Sequence, residues 1–183
     1  MRLRITSYPN EIDRLTMTAS RIDSFEIVPY TGALPLRFGM SSEDVHSALG
    51  KPHLISTLWN KSGFSHSWDS PELNVGFTND NKLNQVGFAP RSIALSINGI
   101  RIWSPQDFDD PNPILLHFDP NPRAFVGFLV YLEIGVTTTG FHDNDPTQYA
   151  LCVFPRGAYD DMSSKTTAPD LTKYSMHTNQ DVG

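Results

Sequence analysis

Cysteine is nearly absent from this chain of 183 residues, and its scarcity excludes two kinds of scaffold. The single cysteine, Cys152, lies within the apolar stretch from Tyr149 to Phe154. One thiol cannot form an intramolecular disulfide framework, and it cannot supply the several thiolates of a multi-cysteine metal site. The apolar neighbours of Cys152 favour a buried structural thiol over a reactive one.

Long apolar runs are also missing from the sequence. No run approaches the ~20 residues that a membrane-spanning helix needs. The first residues include basic side chains, but they lack the continuous apolar core and the small-residue cleavage site of a secretory leader. No cysteine stands near the amino end to carry a lipid anchor. We therefore expect a cytoplasmic protein that makes no contact with a membrane.

Basic residues are fewer than acidic residues in this chain. The chain has 14 Lys and Arg against 20 Asp and Glu, which gives a formal net charge of −6. Most of the excess lies in residues 91–183, which carry eleven acidic and six basic side chains. This distribution argues against nucleic-acid binding through a basic face and favours a cationic partner. The simpler alternative is that the charge only keeps the protein soluble.

Motifs that carry catalysis or hold cofactors are not found. The sequence has no Gly-x-Ser-x-Gly nucleophile elbow and no phosphate-binding glycine loop with its lysine. The segment 143–146 begins like a calcium-binding loop, but the required glycine and glutamate are replaced by Gln148 and Phe154. We therefore predict that the protein is not an enzyme and holds no metal or cofactor. An enzyme of unrecognised class would need a pocket that brings groups such as His117 and His142 together.

A complete helix signal occupies Leu36 to Pro52. Ser41 is placed as the N-cap, and Asp44 stands three residues later, where a capping-box partner belongs. Gly50 supplies the left-handed conformation that commonly follows a helix, and Pro52 prevents its continuation. The sequence therefore predicts a short helix that starts at Ser41 and ends at Gly50.

Alternating apolar side chains predict strands on both sides of this helix. One strand is expected from Ser24 to Pro29, and a meander of about four strands follows the helix. The alternation is clearest in two groups of residues, Phe64, His66 and Trp68, and then Leu73, Val75 and Phe77.

The dipeptide Asn98-Gly99 is the strongest short-range hairpin signal in the chain. Pairing across a two-residue loop would place Ile97 opposite Ile100 and Leu95 opposite Ile102. We therefore expect these four apolar side chains to share one face of the hairpin.

Three further segments complete the prediction. The apolar residues Ile114 to Phe118 favour a strand. The most apolar run, Phe125 to Val136, favours a single central strand with bulges at Gly127 and Gly135. From about residue 160 to the end the sequence is small, polar and charged, which is typical of a flexible tail.

These signals predict a β-dominated α+β fold with antiparallel sheets and one or two short helices. Residues 1–159 are expected to form a single globular domain, or two halves at 25–90 and 91–159. Residues 160–183 are expected to form the tail.

Residues 36–88 resemble a unit found in the beta-lactamase inhibitor protein (BLIP) and in the SmpA/OmlA outer-membrane lipoproteins. In that unit a glycine, a methionine or leucine and a polar cap lead through a short helix and an LGxP sequence into an antiparallel sheet. The matching positions are Gly39, Met40, Ser41, Glu43, Val45, Leu49, Gly50 and Pro52. The resemblance implies a BLIP-like helix-plus-sheet unit in the first half of the chain.

In overall character the chain is similar to the immunity proteins that bacteria encode beside polymorphic toxins. Those proteins are small, acidic and cytoplasmic, and each neutralises a toxin domain by binding it. The similarity is one of type, and it implies a cationic protein toxin as the partner, most plausibly a nuclease.

Our leading hypothesis is therefore a protein that inhibits such a toxin by covering its basic cleft with acidic loops. The alternative is a scaffold or assembly adaptor that uses its sheet for protein contacts and has no inhibitory role. The predicted contact residues are Asp107, Asp109, Asp110, Asp119, Asp143 and Asp145, with Trp103 and Phe108 as aromatic anchors.

Overall fold

Strands dominate the structure, and they form two sheets. The computed structural model describes residues 22–58, 62–69, 71–89, 93–105, 110–141, 147–160 and 167–171. These described residues contain thirteen strands and two short helices. The predicted β-dominated α+β class is confirmed.

The elements of the first half of the chain are β1 (Ser24–Val28), β2 (Gly32–Leu34), β3 (Leu36–Arg37), α1 (Ser42–Leu49), β4 (Leu54–Thr57), β5 (Gly63–Asp69), β6 (Glu72–Thr78) and β7 (Leu83–Phe88). Those of the second half are β8 (Ala94–Ile97), β9 (Ile100–Trp103), α2 (Asn112–Phe118), β10 (Arg123–Phe125), β11 (Phe128–Tyr131), β12 (Val136–Thr139) and β13 (Ala150–Val153). Neither helix is long and apolar enough to cross a membrane, a finding that covers the described residues only.

Each sheet combines strands from both halves of the chain. The five-stranded sheet has the order β3-β2-β1-β8-β9, and the eight-stranded sheet has the order β10-β11-β12-β13-β7-β6-β5-β4. Strands β1 and β8 pair in parallel, whereas the other named pairs are antiparallel. The pairs β1–β8 and β13–β7 therefore join 25–90 to 91–159 within each sheet.

The two sheets pack against each other through apolar side chains. The rings of Phe25 on β1 and Phe88 on β7 have their centroids 5.1 Å apart, and both side chains are buried. The chain between β3 and α1 adds two backbone hydrogen bonds to β7. Leu83 accepts one from the Gly39 N–H at 2.9 Å and donates one to the Met40 carbonyl at 2.8 Å.

Helix α1 has the predicted start and end. The Ser41 hydroxyl accepts a hydrogen bond from the Asp44 N–H at 3.2 Å, and the Asp44 carboxylate accepts one from the Ser41 N–H at 3.0 Å. This is the reciprocal capping box. Gly50 follows the helix with φ +82°, a backbone conformation that favours glycine. The four-stranded meander β4 to β7 then follows, as predicted.

The hairpin at Asn98-Gly99 forms, but part of its predicted register is wrong. Ile97 pairs with Ile100 as expected, whereas Leu95 pairs with Trp103 instead of Ile102 because a bulge shifts the register between Leu95 and Ser96. The extra residue allows Ile102 and Trp103, which are neighbours in sequence, both to be buried. Ile100 does not share the buried face, since it lies at the end of the hairpin and is 51% exposed.

The predicted single strand from Phe125 to Val136 is also wrong. The chain reverses twice within it and contributes to three antiparallel strands, β10, β11 and β12. The reversals contain Gly127 and Gly135, with φ of +82° and +69°. Both glycines therefore serve as turn residues between paired strands and do not form bulges. At Gly135 a side chain would also lie 2.7 Å from the Phe154 carbonyl oxygen.

The predicted strand from Ile114 to Phe118 is helical instead, as part of α2. Pro113 lies in the first turn, where its missing N–H is not needed. Leu115 is fully buried. A short apolar run does not by itself distinguish a buried strand from a buried helix, and here the packing of Leu115 selects the helix.

Part of the predicted tail is attached to the sheet. Thr167 and Ala124 on β10 exchange two backbone hydrogen bonds of 2.8 and 2.9 Å. Leu171 packs against the core. Of the predicted tail, residues 161–166 and 172–183 lie outside the described residues.

A pair of stacked histidines connects α1 to the meander. Nε2 of His46 and Nδ1 of His66 lie 2.9 Å apart, and the ring centroids are separated by 4.8 Å. His66 is only 3% exposed and also packs against Phe77, with a centroid distance of 4.9 Å. Burial lowers the pKa of His66, and the neighbouring His46 lowers it further, against a smaller opposing effect of Glu43.

This arrangement predicts a loss of stability in mild acid. The folded-state pKa of His66 lies below the unfolded value near ~6.5, so the unfolded chain binds more protons in this range. Its contribution to the free energy of unfolding is complete above the unfolded pKa and is lost as the pH falls through the folded pKa. One proton can give a slope of at most about 1.4 kcal/mol per pH unit. Urea denaturation at a series of pH values measures this slope.

His66→Gln should flatten this pH dependence, whatever its effect at neutral pH. The matched control is His53→Gln, because 44% of the His53 side chain is exposed. The control should retain the slope of the unmodified protein. An unchanged slope in His66→Gln would show that His66 does not carry the effect.

Candidate functional site

Three of the eight predicted contact residues lie within the described part of the chain, namely Trp103, Asp110 and Asp119. The other five, Asp107, Phe108, Asp109, Asp143 and Asp145, lie outside the described residues, as does His142. Their neighbours in the sequence on either side are described.

Two aromatic residues that precede the acidic stretches in the sequence are in contact with each other. The rings of Trp103 and Phe141 meet edge to face with their centroids 5.8 Å apart, and Phe141 also stacks on Tyr149 at 4.3 Å. Residues 106–109 follow shortly after Trp103, and residues 142–146 follow Phe141 directly. Trp103 is 3% exposed, so it is a core side chain and not an exposed anchor.

Asp119 is buried and connects two turns. Its Oδ1 accepts a hydrogen bond from the Asn121 N–H at 3.1 Å, and its Oδ2 accepts one from the Glu133 N–H at 2.9 Å. The residue is 1% exposed. Both carboxylate oxygens therefore bind the backbone of this chain, and this geometry argues against a direct role for Asp119 in contacting a partner.

Asp110 lies two residues before α2, and one of its carboxylate oxygens accepts two hydrogen bonds. Its Oδ1 accepts hydrogen bonds from the backbone N–H of Asn112 at 2.9 Å and from the side-chain Nδ2 of Asn112 at 2.6 Å. Burial raises the pKa of Asp110, although both hydrogen bonds act in the opposite direction. Asp110 is thus a half-buried carboxylate at the edge of the predicted acidic region.

Asn112 is the centre of a buried polar network that sequence reasoning missed. Its Oδ1 accepts hydrogen bonds from the Tyr131 hydroxyl at 2.8 Å and the Thr138 hydroxyl at 2.6 Å, and its side chain is fully buried. These bonds connect the first turn of α2 to β11 and β12. The sequence Pro111-Asn112-Pro113 is typical of a helix start, but the apolar residues that follow it fit a strand equally well.

A cavity of about 190 Å³ lies beside this network. Its apolar wall includes Ala124, Phe128, Leu129 and Phe141. On another side it is lined by Pro169 and Asp170, which follow Thr167 in the segment that pairs with β10. The cavity is therefore lined by Phe141, which precedes the acidic stretch 143–145 in the sequence, and by Asn112, which binds Asp110.

The described residues offer little to nucleophilic or metal chemistry. They contain no group of three or more His, Cys, Asp or Glu side chains that could hold a metal ion. Burial raises the pKa of Cys152 to about 12, so this thiol stays protonated at neutral pH and is a poor nucleophile. The region does contain a small apolar cavity that is lined by Asp170 and by Asn112, the partner of Asp110. Such a cavity is suited to binding a small ligand or a side chain.

Comparison with protein-family models, with curated proteins and with solved structures found no match for this chain.

Substitution of Asp110 and of Asp119 by asparagine should change the free energy of unfolding differently. Asp110→Asn keeps an oxygen for both Asn112 donors and removes a half-buried charge, so the free energy of unfolding should stay the same or rise near neutral pH. Asp119→Asn places an NH₂ group against one of two backbone N–H donors, so it should cost about 1–3 kcal/mol. Urea denaturation near neutral pH measures both.

The pH dependence gives a second readout for Asp110. Its folded-state pKa is raised above the unfolded value, so the stability that the neutral carboxyl contributes is present below the unfolded pKa. That contribution is lost as the pH rises through the folded pKa, and Asp110→Asn should remove this loss. If Asp110→Asn destabilised the protein as much as Asp119→Asn, the proposed difference between the two carboxylates would be wrong.

Proposed function

We propose that this protein binds and inhibits a cationic protein partner in the cytoplasm, in the manner of a bacterial immunity protein that neutralises its toxin. In this proposal the partner is a nuclease domain. A nuclease needs a basic cleft to hold the phosphate backbone of its substrate, and the acidic side chains of the inhibitor would cover that cleft.

The observation that carries the proposal is the contact between Trp103 and Phe141. Trp103 precedes the acidic stretch 107–110 in the sequence, and Phe141 precedes the acidic stretch 143–145. In a chain of net charge −6, we take the contact between the two rings as support for one acidic surface formed by both stretches. Concentrated charge of one sign steers an oppositely charged partner more strongly than scattered charge.

The proposed contact set is smaller than the sequence alone suggested. Trp103 and Asp119 are buried, so we assign them to holding the region in place. The direct contacts in the proposal are Asp107, Asp109, Asp143 and Asp145, with Asp110 at the edge and Phe108 as the aromatic anchor. The charges would mainly set the association rate, whereas the anchor would mainly set the dissociation rate.

The experiment measures association kinetics with the toxin domain that co-purifies with the chain in its native host. The nuclease activity of that domain should be inhibited by the chain, and the association rate constant should fall by about tenfold or more between about 50 and 500 mM salt. The charge-neutralised variants Asp107→Asn/Asp109→Asn and Asp143→Asn/Asp145→Asn should each slow association several-fold at low salt.

The matched control is Asp69→Asn/Glu72→Gln, which removes the same formal charge at the turn between β5 and β6. Both residues are exposed there and pair across the hairpin. The control should leave the association rate within about twofold of the unmodified protein. A rate independent of salt, or an equal effect of the control, would contradict the proposed acidic surface.

A second candidate function, the assembly adaptor, is favoured by a different observation. Strand β4 ends the eight-stranded sheet, and within the described residues it pairs only with β5. It carries Leu54 and Ile55, which are 50% and 60% exposed. An apolar edge strand is a template for a strand of another protein. Under this alternative Ile55→Lys would abolish binding, and neutralisation of the acidic stretches would have no effect.

A further inference from the structure

We propose that the cavity beside Asn112 receives one arginine side chain of the protein partner. The inference rests on the proposed function, which supplies a cationic partner, and it adds the place at which a particular side chain of that partner is held. It depends on four properties of the cavity, namely its volume, its polar groups, its charge and its aromatic wall.

The volume limits the occupant to something small. The cavity holds about 190 Å³, whereas pockets for drug-sized ligands span roughly 300–1,000 Å³. A single amino-acid side chain is therefore a more suitable occupant than a nucleotide or another large cofactor.

The polar groups of the wall are already engaged with each other. Asn112 accepts two hydrogen bonds at Oδ1 and donates from Nδ2 to Asp110. No buried side-chain nitrogen or oxygen of the described residues lacks a hydrogen-bond partner. An occupant that needed several buried hydrogen bonds would find few here, so the enclosed part of the occupant should be apolar.

The charge near the cavity is negative. Asp170 lines it and is exposed, and Asp110 accepts a hydrogen bond from Asn112, which is another lining residue. None of the described residues that line the cavity is Lys or Arg. An occupant with an apolar stem and a cationic end fits both the wall and this charge, and Lys and Arg are the two side chains of that kind.

The aromatic wall distinguishes between these two side chains. Phe128 is 38% exposed and lines the cavity together with Phe141. A planar guanidinium stacks on aromatic rings and is more weakly hydrated than an ammonium group. We therefore assign the cavity to arginine and expect lysine to bind more weakly.

The test is a nuclear magnetic resonance titration of the full chain with N-acetyl-arginine methylamide. Saturable shifts are expected at the backbone amides of Gly127, Phe128 and Thr139, with a dissociation constant of about 1 mM or above for so small a probe. The lysine analogue should bind several-fold more weakly, and the uncharged norleucine analogue about tenfold more weakly. Equal binding of norleucine, or shifts that do not saturate, would overturn the proposal.

Variants locate the binding in the cavity. Phe128→Ala should weaken arginine binding about fivefold or more, whereas Phe128→Tyr keeps the ring and should retain it. Asp170→Asn should weaken binding and reduce its sensitivity to salt. Phe128 is partly exposed, so its truncation spares the core, and the amide spectrum of each variant reports whether it is folded. Retained arginine binding in Phe128→Ala would contradict the assignment.

The outcome can be separated from that of the proposed function. If Phe128→Ala loses arginine binding but inhibits the toxin domain with unchanged affinity, the role of the cavity in partner binding is overturned and the inhibitory function stands. If the arginine probe binds as expected but the chain does not inhibit its co-purifying partner, the proposed function fails and the selectivity of the cavity stands.

Discussion

A single buried amide, the side chain of Asn112, holds helix α2 against the eight-stranded sheet. Its Oδ1 takes hydrogen bonds from β11 and β12, and its Nδ2 binds Asp110. A helix of seven residues is not stable in isolation, so α2 depends on these bonds and on the burial of Leu115. The cavity and the position of Asp110 both depend on this attachment, because Asn112 lines the cavity and binds Asp110.

The parts of the fold that could be predicted are those whose cause is local. The capping box of Ser41 and Asp44 and the turn at Asn98-Gly99 each need only a few neighbouring residues, and both are present. The strand predictions for 114–118 and 125–136 are wrong because an apolar run is compatible with a helix, with one strand or with several short strands. Their outcome depends on distant contacts, such as the approach of Phe154 to Gly135, which no local pattern encodes.

The candidate site could be predicted only in part, for the same physical reason. Charge indicated the acidic stretches, but charge does not reveal which carboxylates are buried. Asp119 resembles an exposed loop residue in sequence, yet its two carboxylate oxygens accept hydrogen bonds from two backbone N–H groups. Trp103 precedes an acidic stretch and resembles an anchor, yet it is buried and its ring contacts Phe141. Asn112 carried no functional signal, although it forms hydrogen bonds with Asp110, Tyr131 and Thr138.

The central claim, that the Asn112 amide holds α2 and the region around it, can be tested by a double-mutant cycle of Tyr131→Phe and Thr138→Val. Either hydroxyl alone still satisfies Oδ1, whereas loss of both leaves a buried carbonyl oxygen without a donor. The free energy of unfolding should therefore fall in the double variant by about 1 kcal/mol more than the sum of the single losses. Losses that add within about 0.5 kcal/mol would contradict the account.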